Sequence, residues 1–242
     1  MALARVILLF RKPVSMEKAV RPFVFMMTLL AASTAIADEL NVNPNINKHL
    51  TDPDYEKWVQ RFERPGREIF DQKEAIVRAV NIRSGMDVAD IGAGTGLLTR
   101  LFAPAVGPKG KVYAVDIAEN FIDEIISQAE DAGMNNVIGI VNSQKDTGLK
   151  AGSIDLAFVC DTYHHFEYPR TMLRSIHHAL RQGGSLIVID FRKIQGVSSK
   201  WVMSHTRADK ETVIREIESE GFVLTEDQDL LKANFYLRFN KT

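Results

Sequence analysis

The sequence has almost no cysteine and almost no charge imbalance, and both shortages limit what the protein can be. Its 242 residues include a single cysteine, Cys160, so no disulfide can form within the chain. The 30 Lys and Arg residues nearly balance the 31 Asp and Glu residues, and no stretch interleaves basic with aromatic residues. Because binding to a phosphate polymer needs clustered positive charge, we expect no nucleic-acid partner.

The sequence also lacks an apolar run of the roughly 20 residues that a membrane-spanning helix needs. A shorter apolar run covers 23–36, after Met16 and two basic residues, and it ends in small residues at Ala37. This layout is typical of a secretory signal peptide cleaved after Ala37. We therefore predict a signal peptide or N-terminal anchor over 1–37, and hence a periplasmic or membrane-anchored protein. A cytoplasmic protein that keeps this segment as an uncleaved helix is the alternative. Membrane association is expected only through this segment.

The remaining chain divides into a linker and one domain. Residues 38–54 are polar and rich in Asn and Pro, which is typical of a linker. Residues 55–242 have the length of one α/β domain, in which short apolar runs alternate with helical segments. Strands joined by helical crossovers run parallel, and nearly continuous apolar strands indicate a sheet covered on both faces. The predicted strands are 86–91, 111–115, 137–141, 154–159 and 185–189, with 222–224 and 235–239 as a terminal hairpin; the predicted helices are 54–62, 69–81, 96–102, 119–132, 169–180 and 209–220.

A glycine-rich loop follows the first predicted strand and opens the next helix. The loop Gly92-Ala93-Gly94-Thr95-Gly96 lets the backbone turn tightly and approach a ligand closely, and a helix start offers unpaired N–H groups. Asp90 precedes the loop, and Asp116 ends the second predicted strand. Since ligands of open α/β sheets lie outside the carboxyl ends of the strands, these features predict a nucleoside site with Asp116 on the ribose hydroxyls. The alternative is that both acids only cap loops or helices.

These motifs resemble those of the class I S-adenosylmethionine-dependent methyltransferases. The resemblance covers about Tyr55 to the C-terminus and is carried by VADIGAGTG, YAVDI, IDLAFVCDTYHHF and HHALRQGGSLIVIDF. The glycines form G-x-G-x-G, whereas a dinucleotide fingerprint has two residues before its third glycine. The resemblance implies a Rossmann-like fold with a mostly parallel seven-stranded sheet, helices on both faces and a C-terminal antiparallel hairpin. Within the family the sequence is most similar to small-molecule enzymes, a group that includes quinone-biosynthesis methyltransferases.

The resemblance also implies S-adenosylmethionine as the cofactor and gives roles to the matching residues. Asp90 and the glycine loop would contact the methionine and ribose, Asp116 the ribose hydroxyls, and Ile117 the adenine. The family often has an acidic residue after the third strand, near the adenine amino group. Ser143 and Gln144 stand in that stretch and are the candidates for this contact.

The end of the fourth predicted strand is where we expect the methyl acceptor. Cys160 is interpreted as a small buried residue beside the cofactor. Methyl transfer is an in-line displacement that needs an aligned acceptor and the exclusion of water. An acceptor that starts as a hydroxyl, thiol or amine must lose a proton, and histidine titrates near neutrality. We therefore expect His164 or His165 to act as a base or to orient the acceptor, with Asp161 and Tyr163 lining the pocket. A purely structural turn is the alternative.

The predicted function is methyl transfer to a small-molecule acceptor whose reacting atom (O, S, N or C) the sequence leaves open. We predict no metal, because Cys160 lacks partners at ligand spacing and the histidines show no second compact cluster. Trp201, His205 and Arg207 follow the fifth strand and are expected in a lid over the site or in a solvated loop. Two other functions stay open: a non-catalytic S-adenosylmethionine-binding protein, and a nicotinamide-dependent oxidoreductase, which the glycine spacing disfavours.

Overall fold

Seven strands form one sheet in the computed structural model, which describes residues 40–242. The strands are β1 (Asp87–Ile91), β2 (Lys111–Asp116), β3 (Val137–Val141), β4 (Ile154–Cys160), β5 (Leu180–Phe191), β6 (Phe222–Gln228) and β7 (Asn234–Lys241). Their order is β3-β2-β1-β4-β5-β7-β6. The first five strands run parallel to one another, and β7 is antiparallel to both β5 and β6. The predicted sheet and its terminal hairpin are confirmed.

Helices cover both faces of the sheet, because neighbouring side chains along each strand enter different cores. Val88 of β1 packs in one core, and the next residue, Ala89, packs in the other. The helices are α1 (Tyr55–Phe62), α2 (Glu68–Asp71), α3 (Lys73–Val80), α4 (Leu97–Val106), α5 (Glu119–Asp131), α6 (Pro169–Ala179), α7 (Lys200–His205) and α8 (Lys210–Glu218). Side chains of α3 and α4 join the core of Val88, and those of α6 and α8 join the core of Ala89.

Several elements differ from the prediction, among them a broken helix, a strand that starts early and a helix that was not predicted. The helix predicted over 69–81 is broken at Gln72 into α2 and α3, since apolar spacing alone does not reveal a break. Strand β5 begins at Leu180, five residues early, because Leu180 already pairs with Ile154 before the register shifts. Helix α7 lies in the segment that was predicted as a lid or loop. Its start is capped by Ser199, whose Oγ accepts a hydrogen bond from the Val202 N–H.

The segment predicted as a linker is attached to the domain where it is described. Asn47 is 5% exposed and donates a hydrogen bond to the carbonyl oxygen of His165. A 3₁₀ turn follows at Lys48–Leu50. The predicted signal peptide over 1–37 lies outside the described residues. Among residues 40–242, every helix is too short or too polar to cross a bilayer.

Candidate active site

A cavity lies at the carboxyl ends of the parallel strands, directly on the glycine loop. Residues 92–95 of the loop line it, together with Asp90, Asp116 and Ile117. The carboxyl ends of β1 and β2 meet there because both strands run parallel in the same register. The predicted loop and both predicted acids are therefore brought together, and Gly96 lies just outside the lining.

The glycines of this loop are required by its geometry. Gly92 has φ +75°, and a Cβ there would lie 2.2 Å from Cγ2 of Thr162. Gly96 has φ +78°, and a Cβ there would lie 2.7 Å from Cγ1 of Ile125. At Gly94 an added Cβ would meet only the Phe62 ring, at 3.5 Å. At Gly92 and Gly96 the backbone therefore lies too close to neighbouring side chains for any residue but glycine, while Gly94 leaves space over the cavity.

Thr95 joins the loop to α1, which closes one side of the cavity. Its hydroxyl donates to Oε1 of Glu63, 2.7 Å away, and its carbonyl oxygen accepts from the buried Tyr55 hydroxyl at 3.0 Å. Glu63 also pairs with Arg100 at 2.7 Å. These contacts hold α1 over the glycine loop, so Thr95 supports the loop as well as lining the cavity.

Asp116 is buried and hydrogen-bonded to the loop. Its Oδ2 accepts from the Gly94 N–H at 2.9 Å, and its Oδ1 accepts from the Ala118 N–H at 3.0 Å. A carboxylate offers about four lone-pair positions, so both oxygens can still accept from a ligand. Burial raises the pKa of Asp116 above its ordinary value. Asp116 therefore both caps the chain that leads into α5 and faces the cavity.

Asp90 places a second carboxylate beside the first. It is 3% exposed and accepts a hydrogen bond from the Thr99 hydroxyl at 2.7 Å. Burial raises its pKa to about 6, and the nearby Asp116 contributes to the increase. Two desolvated carboxyl groups at one cavity favour a ligand that carries positive charge, because such a ligand stabilises their ionised forms.

The far end of the cavity is formed by the chain that follows β3. Ser143 and Gln144 line it as predicted, but both side chains have partners: the Ser143 hydroxyl accepts from the Lys145 N–H at 3.2 Å, and Gln144 accepts from Asn47 at 3.1 Å. Asn142 also lines the cavity, and its buried Oδ1 has no hydrogen-bond partner among residues 40–242. The sequence analysis missed Asn142, although it is the first polar residue after β3.

Two residues at the end of β4 also line this cavity. Burial raises the pKa of the Cys160 thiol far above its ordinary value, so the sulfur stays protonated and unreactive. Asp161 has φ +48°, and its two oxygens contact Arg67 at 2.7 Å and Asn234 at 2.5 Å. The Asp161 carboxylate therefore joins the N-terminal helices to the terminal hairpin while it faces the cavity.

Tyr163 is the predicted pocket residue that the structure places elsewhere. Its ring is 1% exposed, packs in the hydrophobic core and lines neither cavity at this end of the sheet. Its hydroxyl donates to Oε2 of Glu216 on α8, at 2.9 Å. The 3₁₀ turn at Tyr163–His165 sends consecutive side chains in different directions. The prediction that Tyr163 lines the acceptor pocket is therefore wrong.

A second cavity adjoins the first. Seven residues line both cavities and so form the wall between them: His49, Trp58, Phe62, Arg67, Ile69, Asp161 and His165. Four more rings, those of His164, Phe191, Trp201 and His205, line only the second cavity, together with the charged residues Arg61, Arg64 and Glu68. The lining of the second cavity is therefore richer in rings than that of the first cavity.

His164 lies on the second cavity and is held by a carboxylate. Its Nδ1 is 2.7 Å from Oδ1 of Asp190, and its backbone N–H donates to Oδ2 of the same residue at 2.9 Å. Burial alone would lower the pKa of His164, but the Asp190 carboxylate raises it above the ordinary value. A carboxylate on Nδ1 fixes the tautomer of the ring and leaves Nε2 toward the cavity. The sequence analysis missed Asp190, which is the second-to-last residue of β5.

His165 is held by an amide instead. Asn47 uses its Nδ2 for the carbonyl of His165 and for Gln144, so its Oδ1 must accept from Nδ1 of His165, 2.9 Å away. Burial, helped by the neighbouring His164, lowers the pKa of His165 to about 2. His165 is therefore a neutral ring with Nε2 as an acceptor. Asn47 lies in the predicted linker and was not identified from the sequence.

A third histidine joins this pair from α7. The His205 ring lies 5.0 Å from that of His164 and 5.3 Å from that of His165, between ring centres. Trp201 stacks on His205 at 4.4 Å. Of the two alternatives for this segment, the structure favours a cover over the second cavity. The sequence analysis did not foresee that α7 brings His205 to the other two histidines.

Comparisons with known proteins agree with this geometry. Residues 88–184 match the family model described as "Methyltransferase domain". Curated relatives include ubiquinone/menaquinone biosynthesis C-methyltransferases from Hahella chejuensis, 32% identical over 113 residues, and from Burkholderia vietnamiensis, 29% identical over 122 residues. These alignments cover 46% and 50% of this chain, and 45% and 50% of the relatives. The chain thus matches about half the length of these relatives.

Solved structures show the same fold. The structure of an S-adenosylmethionine-dependent methyltransferase from Aquifex aeolicus matches 79% of this chain and 100% of that chain, with a TM-score of 0.70 and 23% identity. A phosphoethanolamine N-methyltransferase from Haemonchus contortus, in complex with S-adenosyl-L-methionine, matches 82% of this chain and 59% of its own, with a TM-score of 0.64 and 16% identity. At these identities the likeness concerns the fold.

Proposed function

We propose that this chain, whose residues 88–184 match a methyltransferase domain, is a class I methyltransferase that transfers a methyl group from S-adenosylmethionine to a small-molecule acceptor. The observation that carries this proposal is the pair of adjoining cavities. One is built on the glycine loop with two buried acids, and the other is built from aromatic rings and histidines. Because the cavities adjoin, a ligand in one can lie next to a ligand in the other, and an in-line transfer requires this proximity.

The residues of the first cavity fit S-adenosylmethionine. The cofactor is cationic at its sulfonium and ammonium groups, and the desolvated Asp90 and Asp116 carboxyls favour a positive ligand. Gly94 leaves room above the loop for a ligand to approach the backbone. The unpartnered Oδ1 of Asn142 suits an amino group such as that of adenine. When bound, the cofactor supplies an electrophilic methyl group.

Each of these residues has a binding role in the proposal. Asp116 accepts hydrogen bonds from the ribose hydroxyls, and Asp90 stabilises the ammonium group of the amino-acid end through the loop. Asn142 and Gln144 lie around the adenine, with Ile117 packed on its face. Thr95 and α1 keep water away from the loop.

The second cavity is the proposed acceptor site. Its aromatic lining suits a planar or apolar small molecule, and the curated relatives are named for quinone biosynthesis. Both rings present Nε2 from fixed tautomers: His164, whose pKa is raised, favours loss of the acceptor's proton, and the neutral His165 orients the acceptor. Asp190 is a positioning residue that acts through His164. Trp201 and α7 shield the site from water.

The first experiment measures ligand binding by thermal unfolding of the purified full-length chain. We expect S-adenosylhomocysteine to raise the melting temperature and NAD to leave it unchanged. Asp116→Asn should weaken the S-adenosylhomocysteine effect, while Asp123→Asn, a change at an exposed residue of α5, should preserve it. A shift with NAD alone would favour the oxidoreductase alternative.

The second experiment tests transfer itself. Labelled methyl from S-adenosylmethionine, added with the protein to a cell extract, should enter a small-molecule fraction. Binding of S-adenosylhomocysteine without any transfer, to small molecules or to macromolecules, would favour the non-catalytic alternative. Transfer only into protein or nucleic acid would contradict the proposed acceptor class.

We also propose that the chain is exported, on the support of its signal-like residues 1–37. Mass spectrometry of the untagged protein from its host should find a mature N-terminus at Asp38. An intact N-terminal segment on protein from the cytoplasmic fraction would contradict this proposal.

A further inference from the structure

Three imidazole rings converge on the wall of the second cavity. One nitrogen from each of His164, His165 and His205 lies within 4.8 Å of the other two. All three residues line the cavity. We infer that these histidines bind a divalent transition-metal ion of the Zn²⁺ type, with a fourth coordination position open to the cavity. The inference goes beyond the proposed function, because metal binding does not depend on methyl transfer.

The hydrogen bonds of the cluster leave the right atoms available. Nδ1 of His164 is occupied by Asp190, and Nδ1 of His165 is occupied by Asn47. Because these hydrogen bonds use Nδ1, the Nε2 atom of each ring is left for a ligand. Three imidazole nitrogens with an open fourth position are the ligand set of catalytic zinc sites.

The partners of the rings also suit a metal site. A metal-bound histidine usually donates its other N–H to a carboxylate or carbonyl oxygen, which fixes the ring and makes it a better ligand. Asp190 does this for His164, and the amide oxygen of Asn47 does it for His165. A buried imidazole N–H needs an acceptor in any case. Here both acceptors use Nδ1, so that both rings are fixed in the orientation that a metal ligand requires.

The third ligand, His205, lies on α7, a short helix that can shift toward the other two ligands. Ideal tetrahedral coordination places nitrogens about 3.4 Å apart, so separations of up to 4.8 Å must shorten for all three to bind one ion. His205 is the last residue of the six-residue helix α7, and it is only partly buried. Trp201 stacks on His205, and Phe191 packs against Trp201; a low-polarity surrounding strengthens metal–ligand electrostatics. A small movement of α7 completes the site.

The ligand types select the class of metal. Imidazole nitrogens suit Zn²⁺, Cu²⁺, Ni²⁺ and Fe²⁺, whereas Mg²⁺ and Ca²⁺ prefer oxygen ligands. The open position faces the cavity that the proposed function gives to the acceptor. If that function holds, the ion can hold an oxygen, sulfur or nitrogen atom of the acceptor and stabilise its deprotonated form. His164 is then a ligand, and the ion takes over its effect on the acceptor.

The test uses the full-length chain without a histidine tag and with Co²⁺ as a spectroscopic probe. We expect one equivalent of Co²⁺ to bind, to give the visible absorption of a four- or five-coordinate site, and to be displaced by Zn²⁺. His205→Ala should weaken binding by at least about 100-fold, and Asn47→Ala by about 10- to 100-fold. His178→Ala, which removes an exposed histidine of α6, should leave the affinity unchanged.

Each outcome decides the inference. Absence of one-to-one binding overturns it, and so does an affinity that His205→Ala leaves unchanged or that His178→Ala lowers equally. S-adenosylhomocysteine is added to the same preparations, and its thermal shift shows whether each variant is folded. Stabilisation by that ligand without Co²⁺ binding removes the metal site alone. Co²⁺ binding without that stabilisation removes the proposed function and leaves the metal site in place.

Discussion

The two cavities share a wall, but the groups that line them differ in charge and in aromatic content. The first is lined by Asp90 and Asp116, buried acids whose raised pKa values favour a cationic ligand. The second is lined by aromatic rings and by His165, a ring that burial keeps neutral. The difference indicates a division of roles, in which one half of the site holds a charged cofactor and the other half receives an uncharged or apolar acceptor. Substitutions in the first cavity should therefore weaken cofactor binding, and substitutions in the second should lower turnover without weakening cofactor binding.

The largest expected effect comes from the second cavity. In His164→Asn the amide nitrogen stands near the position of Nδ1 and can still donate to Asp190, while Nε2 is lost. We expect turnover to fall by about 10²- to 10⁴-fold, the usual contribution of a group that assists proton transfer. The affinity for S-adenosylhomocysteine, measured by calorimetry, should remain within about twofold, because His164 does not line the first cavity.

The matched control for this change is His178→Asn, on the exposed side of α6. It should keep both turnover and affinity. If His164→Asn lost cofactor affinity as strongly as turnover, the two cavities would act as one site, and the comparison between them would fail.

The second effect comes from the glycine loop. In Gly92→Ala the new Cβ must move away from Thr162, only 2.2 Å distant, and the residue must also keep φ +75°. We expect S-adenosylhomocysteine to bind about 10- to 100-fold more weakly, since positive φ alone costs about 1–2 kcal/mol. Gly133→Ala shares the positive φ (+68°) but meets nothing within 4 Å. Gly133→Ala should lower the melting temperature without changing the affinity for S-adenosylhomocysteine. If both variants lost the same affinity, backbone strain, rather than the close approach to Thr162, would explain the effect.

The third effect is a pH dependence of stability. Asp90 has a folded-state pKa of about 6 against an ordinary value of 3.8. Between these values the folded state binds the proton more tightly than the unfolded chain, so the free energy of unfolding falls as pH rises from about 4 to about 6. The difference corresponds to about 3 kcal/mol. Asp116 contributes in the same direction, since burial raises its pKa too.

Asp90→Asn removes this contribution. In the absence of ligand, the variant should be about 1–2 kcal/mol more stable than the native chain at pH 7.5, because its amide is less costly to bury than a carboxylate. The gain should vanish below pH 4, and the affinity for S-adenosylhomocysteine should fall. Urea unfolding across pH 4–8 measures this, with Asp123→Asn as an exposed control that changes neither quantity. A variant less stable than the native chain at pH 7.5 would contradict the argument.

The same contrast explains what the sequence could predict. The first cavity is made of residues that directly follow β1, β2 and β3, so a local motif such as 90–96 already contains its geometry. Asn142 was missed because the neighbouring Ser143 and Gln144 occupy the same short loop. Only the side-chain hydrogen bonds show which of these three keeps an unpartnered acceptor.

The second cavity depends on contacts between distant segments. Asn47 reaches His165 across 118 positions, Asp190 reaches His164 across 26, and His205 comes from a helix that its sequence did not reveal. Residue type and spacing do not reveal these contacts, because the contacts depend on how the helices pack. The position of Tyr163 shows the same limit, since a 3₁₀ turn decides which of three consecutive rings face the cavity.

The smallest effect tests that assignment of Tyr163. In Tyr163→Phe the ring stays in the core, and the hydrogen bond to Glu216 is lost. Glu216 keeps its contacts with Arg207, at 2.7 and 2.8 Å, so its carboxylate is not left unpaired. We expect a loss of stability of about 1 kcal/mol, seen as a melting temperature about 2–4 °C lower. Turnover and KM for the acceptor should match those of the native chain at a temperature where both proteins are folded. A fall in turnover with unchanged stability would instead place Tyr163 on the acceptor, and would move the boundary between the second cavity and the core.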